Sequence, residues 1–129
     1  MRYVLPRVAL RASLQPAYAD PAMLTAERVA RYDDLIRAPG ARQALLDRMC
    51  QTVLVDPRPL IAAIRALTLL VWGERDAMIP RANSADYLKS MADARLVSFA
   101  RSGHLPQEEA PADSVAAVEQ FLAQSGRVP

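Results

Sequence analysis

The sequence contains very little cysteine and lysine, and each shortage excludes a class of function. Cys50 is the only cysteine among the 129 residues, so this chain can build neither an internal disulfide nor a cysteine-based zinc site. Lys89 is the only lysine, and the arginines that supply the remaining positive charge are interspersed with acidic residues. The net charge of +2 is too small and too scattered for a nucleic-acid-binding face. We therefore expect no nucleic-acid partner.

Long hydrophobic runs are also missing. No stretch reaches the roughly 20 apolar residues that a helix needs to cross a bilayer. Between Met1 and Leu10, Pro6 and Arg7 interrupt the apolar residues, so the hydrophobic region of a secretory signal is not formed. These features predict no membrane association and a cytoplasmic location. The balance of 52% hydrophobic and 23% charged residues is typical of a folded globular chain with one modest core.

The first half of the chain has the periodicity of helices. Apolar residues recur at near-helical spacing from Asp20 to about Gln51, with an interruption at Pro39 and Gly40. Either Asp20 or Thr25 can cap the first of these helices. The pattern predicts two helices that form a hairpin or an angled pair, followed by a short turn or helix between Leu60 and Ala66.

The second half has the pattern of a parallel α/β unit. Leu67 to Trp72 is a continuous apolar run of strand length, which is typical of a strand buried on both faces. A helix is predicted from Arg81 to Met91, with Pro80 in its first turn, and a second strand from Arg95 to Phe99. Pro111 to Gln124 then predicts a last helix. The fold class is therefore α/β, with two parallel strands and flanking helices preceded by a helical segment.

Two polar residues follow the two predicted strands. Asp76 lies in the loop after the first strand and His104 in the loop after the second. Loops that leave the carboxyl ends of neighbouring parallel strands converge, so a carboxylate and an imidazole can meet there. A carboxylate on one ring nitrogen fixes the tautomer of a histidine base and stabilises its protonated form. A single loop aspartate is usually a turn residue, and a single histidine is usually structural, so the pair carries more weight than either member.

Two segments resemble those of the α/β-hydrolase family. Residues 69 to 80 resemble the segment that carries the acid of the catalytic triad, and residues 103 to 111 the segment that carries its histidine: LLVWGERDAMIP and GHLPQEEAP. The resemblance implies that Asp76 is the triad acid and His104 the triad histidine. Glu74 and Glu109 are other carboxylates close to these motifs, but the alignment favours Asp76. Arg101 and Ser102 depart slightly from the small residues that often precede the histidine in this family.

The same resemblance implies a division of the chain. The sequence from Tyr18 to Pro21, with the helices after it, resembles the end of the cap that many such enzymes insert above their site. Residues 1–58 are therefore predicted to be a cap-like helical segment. Residues 59–129 are predicted to be the C-terminal part of the hydrolase core.

A nucleophile is missing from the sequence. Members of the family carry it on a sharp turn of the form Gly-x-Ser-x-Gly, before the acid and the histidine. None of the four glycines here flanks a serine in that way, and Ser102 is too close to His104 to be its partner. The chain is thus expected to supply the aspartate and the histidine of a hydrolase and to be inactive alone. Whether the missing nucleophile is serine or aspartate stays open.

The resemblance implies a small-molecule substrate, an ester or a related carbonyl compound, once the missing part of the core is supplied. Related enzymes also act on epoxides, halides and carbon–carbon bonds, and the fold does not choose among them. Nothing in the sequence requires a metal or an organic cofactor. Since most of the family's sheet would precede residue 1, the first strand is expected to expose an unpaired apolar edge that favours self-association or a partner chain.

Two other functions are alternatives to the predicted role as part of a hydrolase. The chain could be a non-catalytic module that pairs through this edge with a separately encoded N-terminal half. Alternatively, it could be a helical binding protein built on residues 20–55, which requires that half to fold alone.

Overall fold

The protein is described from a computed structural model, which covers residues 6–126. The first part of the described chain is helical and contains four α-helices and two short 3₁₀ turns: α1 (Arg7–Leu14), the turns Gln15–Ala17 and Pro21–Met23, α2 (Ala26–Arg37), α3 (Ala41–Cys50) and α4 (Arg58–Ala62). The second part alternates between strands and helices: β1 (Thr68–Gly73), α5 (Asn83–Ser90), β2 (Ala94–Phe99), α6 (Pro106–Glu109) and α7 (Pro111–Gln124).

The two residues predicted as alternative caps each begin a different element. Thr25 caps α2 by accepting a hydrogen bond of 3.2 Å from the backbone N–H of Arg28 to its Oγ1. Asp20 caps the preceding 3₁₀ turn through a 2.9 Å bond from the N–H of Ala22. The helical pattern from Asp20 therefore covers a turn and then a helix, and α2 ends immediately before Ala38 and Pro39.

Helices α1 and α6 were not predicted from the sequence. Pro6, which interrupts an apolar run in the sequence, stands at the N-cap of α1, where a proline is tolerated because the first helical N–H groups lack intrahelical partners. In the predicted helix from Arg81, regular structure begins only at Asn83. Pro80 lies outside it and accepts a 2.9 Å bond from the N–H of Asn83.

The strands pair in parallel, as predicted. The register places Thr68 opposite Ala94 and Gly73 opposite Phe99, so both strands end at the same level. The expectation that β1 is buried on both faces is wrong for this chain, since its residues from Thr68 to Trp72 are only partly buried. Within residues 6–126 the sheet has two strands, and β1 therefore has a neighbour along one edge only.

The buried core lies among the N-terminal helices and reaches the loop after β2. Its fully buried apolar members are Leu10, Ala17, Tyr18, Leu24 and Val29, and Leu14, Met23, Tyr32 and Leu105 pack against them. Leu105 comes from the second half of the sequence, so this core crosses the predicted boundary at residue 58. Leu45 and Met49, two apolar residues of α3, are exposed. In the described part of the chain, no helix has both the length and the apolar character that a membrane span needs.

Candidate active site

The loops after β1 and β2 are joined through their backbones. The N–H of Glu74 donates to the carbonyl of Phe99 at 3.0 Å, and the N–H of Arg75 donates to the carbonyl of Ser102 at 3.0 Å. The first bond continues the sheet register by one residue, and the second joins the two loops beyond the end of the ladder. As a result, the loop with Asp76 and the loop with His104 have a fixed relative position.

Two glycines allow this close approach. A Cβ atom on Gly73 would lie 1.9 Å from the carbonyl oxygen of Gly103, and a Cβ atom on Gly103 would lie 2.7 Å from the backbone nitrogen of Ala19. Both distances are too short for any side chain. Three backbone segments therefore stack in order: the end of β1, the turn at Gly103, and the segment from Ala17 to Ala19.

The Asp76 carboxylate is held from two directions. Its Oδ1 accepts hydrogen bonds from the N–H groups of Met78 and Ile79, at 2.8 and 2.9 Å, and its Oδ2 lies 2.9 Å from Nδ1 of His104. The side chain is only 5% exposed. Burial by itself would raise the pKa of Asp76, but the hydrogen bonds from Ile79, His104 and Met78 outweigh it and hold that pKa below its ordinary value.

His104 uses one ring nitrogen and its backbone amide for these contacts. Nδ1 faces Asp76, and the backbone N–H donates to the carbonyl of Ala17 at 2.9 Å. Among residues 6–126 the second ring nitrogen, Nε2, has no hydrogen-bond partner, and the side chain is 33% exposed. With the Nδ1 proton donated to the carboxylate, the lone pair of Nε2 is free to accept a proton from another group.

The other side chains considered from the sequence have different positions. Glu74 is exposed and its carboxylate forms no hydrogen bond with the described residues. Glu109 lies beneath residues 102–104, which we call the histidine turn. Its Oε1 accepts a hydrogen bond from the N–H of Gly103 at 2.6 Å, and its Oε2 accepts one from the N–H of Ala19 at 2.8 Å. Ser102 is 3% exposed. The structure thus brings Asp76, and neither glutamate, into contact with His104.

A cluster around Glu108 was not anticipated. Its carboxylate accepts hydrogen bonds from the hydroxyls of Tyr18 and Tyr32, at 2.5 and 2.9 Å, and pairs with Arg31. The guanidinium of Arg28 donates to the backbone carbonyl of Glu108 at 2.8 Å. These partners lie 76 to 90 residues away in sequence, so local patterns give no signal for the cluster.

Electrostatics around Glu108 favour its charged form. Burial would raise the pKa of Glu108, but the hydrogen bonds from Tyr18 and Tyr32 and the charge of Arg31 hold it below its ordinary value. Conversely, burial and the hydrogen bond to Glu108 raise the pKa of Tyr18, because a second negative charge there is unfavourable. The cluster therefore keeps α6 attached to α2 through an ionised carboxylate.

Two surface cavities lie near these elements, and neither is lined by Asp76 or His104. One, of about 670 Å³, follows the Pro21–Met23 turn and α2. The other, of about 430 Å³, lies behind the histidine turn, with Ser102 and Glu109 in its wall. Among the residues that the structure describes, no three or more histidine, cysteine or acidic side chains are grouped to hold a metal ion.

Comparison with known proteins supports the resemblance read from the two motifs. A family model described as "Alpha/beta hydrolase family" matches residues 1–118. A search of curated proteins found no match.

Solved structures of similar fold include several hydrolases. A meta-cleavage product hydrolase from Pseudomonas fluorescens has a TM-score of 0.77 and 20% identity, over 95% of this chain and 47% of its own. The 2-hydroxy-6-oxo-6-phenylhexa-2,4-dienoate hydrolase of a Rhodococcus species has a TM-score of 0.69 and 19% identity, over 95% and 51% of the two chains. An esterase from Exiguobacterium antarcticum has a TM-score of 0.66 and 17% identity, over 89% and 42%. This chain spans about half the length of these structures.

Proposed function

Because this chain belongs to the α/β-hydrolase family, we propose that it supplies the acid and the base of a hydrolase catalytic triad. In this proposal His104 is the general base, and Asp76 orients it and stabilises the imidazolium that forms. The nucleophile and the oxyanion hole come from a part of the fold that this chain does not contain. Residues 1–58 act as the cap-like segment and residues 59–129 as the C-terminal part of the core.

The observation that carries the proposal is the 2.9 Å contact between Nδ1 of His104 and Oδ2 of Asp76. The carboxylate is fixed by two backbone N–H groups, so it holds the imidazole ring in one orientation and favours the proton on Nδ1. Nε2 is then the nitrogen that takes a proton from the nucleophile and later returns it to the leaving group. In a covalent mechanism the same nitrogen activates the water that releases the acyl group.

The proposed substrate is a small ester or a related carbonyl compound. An acid–base pair of this kind serves acyl transfer, in which an attacking hydroxyl must lose a proton and a leaving group must gain one. The structural neighbours named above include an esterase and hydrolases of other carbonyl compounds. At such low identity they share a fold with this chain, and the proposal of a carbonyl substrate depends on the chemistry of the pair.

The first test is genetic and enzymatic. The DNA upstream of the Met1 codon is translated in all frames and searched for a strand followed by Gly-x-Ser-x-Gly, and the longer product is assayed on p-nitrophenyl esters. We expect His104→Ala and Asp76→Asn to lower kcat by about 10²-fold to 10⁴-fold. Glu74→Gln is the matched control, since this carboxylate lies in the same loop without touching His104, and it should retain activity. Full activity in the His104→Ala protein would refute the proposal.

The isolated chain gives a second test. Without nucleophile or oxyanion hole, we expect it to show no saturable hydrolysis of p-nitrophenyl acetate above the rate of the His104→Ala variant. Saturable hydrolysis that disappears in this variant would show that the chain needs no further part.

The competing function is a non-catalytic module that pairs with a separately encoded N-terminal half. The observation that favours it is the half-buried strand β1, which within residues 6–126 is paired along one edge only. The two polypeptides would be purified separately and mixed. Formation of a stable 1:1 complex without hydrolysis favours the module, and hydrolysis that depends on His104 favours the split enzyme.

A further inference from the structure

We propose that Glu109 is a positioning residue for His104, which it holds by tying the histidine turn to the segment that leads into the cap-like helices. The inference rests on the proposed role of His104 as a base. It concerns a carboxylate that does not touch the imidazole ring. The structure gives Glu109 three backbone N–H partners from two segments about 85 residues apart.

The first step concerns the turn itself. Gly103 immediately precedes His104, and its N–H donates to Oε1 of Glu109 at 2.6 Å. The direction of the His104 Cα–Cβ bond depends on the backbone conformation of Gly103 and on the orientation of the peptide plane between Gly103 and His104. Because Glu109 fixes the Gly103 amide and the carbonyl of Ala17 accepts from the His104 amide at 2.9 Å, successive N–H groups are both held.

The second step concerns the Ala17 to Asp20 segment. The other oxygen of Glu109 accepts from the N–H of Ala19 at 2.8 Å and lies 3.4 Å from the N–H of Asp20. Glu109 therefore bridges the two backbone segments that pack together at Gly103, namely the histidine turn and the Ala17 to Asp20 segment. Displacement of the Ala17 to Asp20 segment would pull on the carboxylate and on the carbonyl of Ala17, and through both on the histidine.

Glu108 offers a matched control on the next residue. Its carboxylate has different partners from that of Glu109, namely Tyr18, Tyr32 and Arg31, and it forms no hydrogen bond with Gly103 or His104. Glu108→Gln removes a charge and weakens the attachment of α6 to α2. Glu109→Gln instead places an amide NH₂ against a backbone N–H, because the two carboxylate oxygens serve donors on different segments.

His104 is the only histidine in the chain, so a protein purified without a histidine tag gives one set of imidazole signals. Long-range ¹H–¹⁵N correlations through the carbon-bound ring protons report which nitrogen carries the proton. Spectra would be recorded at increasing alkaline pH until the ring signals no longer change, so that the neutral ring is observed. In the parent chain we expect the proton on Nδ1, facing Asp76.

In the Glu109→Gln variant we expect His104 to populate both tautomers or its ring signals to broaden. In the Glu108→Gln variant we expect lower thermal stability and an unchanged His104 tautomer. If the His104 ring signals of the folded Glu109→Gln variant match those of the parent chain, the proposal is overturned. It is also overturned if both variants change these signals to the same extent. Glu109→Asp is measured in parallel, because it keeps two acceptor oxygens and moves them back by one methylene. If Glu109→Gln does not fold, an unchanged tautomer in folded Glu109→Asp overturns the proposal, and a disturbed one supports it.

This experiment separates the positioning role from the hydrolase role. If Glu109→Gln changes the His104 tautomer but the longer product hydrolyses no ester, the positioning role is supported and the proposed hydrolase function is refuted. If the longer product is active, we expect Glu109→Gln to reduce kcat by about 10-fold to 100-fold with little change in KM, since a misplaced base affects the chemical step. An unchanged kcat alongside an unchanged ring refutes positioning and leaves the enzyme in place.

Discussion

Gly73 shows how a single residue type permits the candidate site. The backbone of the Ser102–Gly103 peptide occupies the space where any other residue at position 73 would place its Cβ. The residue is fully buried at the end of β1, next to the loop that carries Asp76. A side chain here would separate the two loops whose contact brings Asp76 to His104.

Gly73→Ala is therefore expected to reduce the free energy of unfolding by about 3 kcal/mol or more, because the methyl group collides with backbone that cannot rotate away. Gly40→Ala is the comparison: nothing lies within 4 Å of its Cβ position, but its φ of +83° disfavours a side chain. We expect a smaller loss there, of about 1 to 2 kcal/mol. Urea unfolding followed by circular dichroism measures both, and an equal or larger loss at Gly40 would contradict the packing explanation.

Asp76 also links the site to stability at low pH. Its pKa is lowered in the folded chain, so the fold favours its ionised form. The stabilising contribution is fully present above the ordinary aspartate pKa of about 3.9 and is lost as the pH falls below it towards the folded-state value. Asp76→Asn cannot titrate, so we expect its unfolding free energy to fall less steeply with acid than that of the parent chain. Urea midpoints measured between about pH 2 and pH 6 test this, and parallel profiles would count against it.

At the scale of elements, α6 is a single turn that holds three parts of the molecule together. Glu108 contacts α2, and Glu109 contacts both the histidine turn and the segment around Ala19. The helix itself begins at Pro106, two residues after His104. Consecutive residues on so short a helix point in different directions, which allows two carboxylates to serve two sets of donors. The position of α6 is therefore set by side-chain hydrogen bonds more than by its own helical propensity.

Helix α2 depends on its cap. Thr25→Ala removes the acceptor for the Arg28 N–H, and we expect it to destabilise the chain by about 1 kcal/mol. Thr52→Ala is the control, because Thr52 is exposed after the end of α3 and bonds within its own last turn. It should change the free energy of unfolding by less than about 0.5 kcal/mol. Equal effects of the two substitutions would show that the Thr25 hydroxyl does not act as a cap.

For the whole molecule, the main feature is apolar surface that this chain does not cover. Large apolar side chains are more than half exposed along α1, α2, α3, α4 and α7, in the segment between α3 and α4, and in the loop after β1: Val8, Leu35, Leu45, Met49, Val53, Leu54, Val55, Leu60, Met78 and Val115. The buried apolar core consists of residues between Leu10 and Val29, with Leu105 from the loop after β2 packed against it. In solved structures of similar fold, this chain accounts for about half of the length.

We expect the isolated chain to self-associate, because exposed apolar surface favours association, and so does an edge of β1 that has no neighbour in the described part of the chain. Sedimentation velocity over a hundredfold concentration range should show the average mass rising with concentration. A polypeptide that supplies the preceding part of the fold should suppress this by covering the same surface. A well-folded species that remains monomeric throughout the range would contradict the expectation.

The sequence by itself determined the order of β1, α5, β2 and α7 in the second half and the two candidate residues, but not the short helix α6. The apolar run ending at Gly73, the helix from Pro111 and the motifs around Asp76 and His104 are local patterns, and local patterns do not depend on contacts between distant segments. Periodicity also identified α2 and α3. It did not reveal α1, because a proline at a helix start and a proline that breaks a run have the same appearance in sequence.

Tertiary structure decided how the parts are joined. Glu109 under the histidine turn, the cluster at Glu108 and the requirement for glycine at positions 73 and 103 all depend on contacts between segments far apart in the chain. Burial of β1 was overpredicted for a related reason: an apolar run indicates what a strand can bury, and only the neighbouring elements determine how much is buried. The sequence thus specifies which side chains carry the candidate chemistry, and backbone packing around Gly103 specifies how they are aimed.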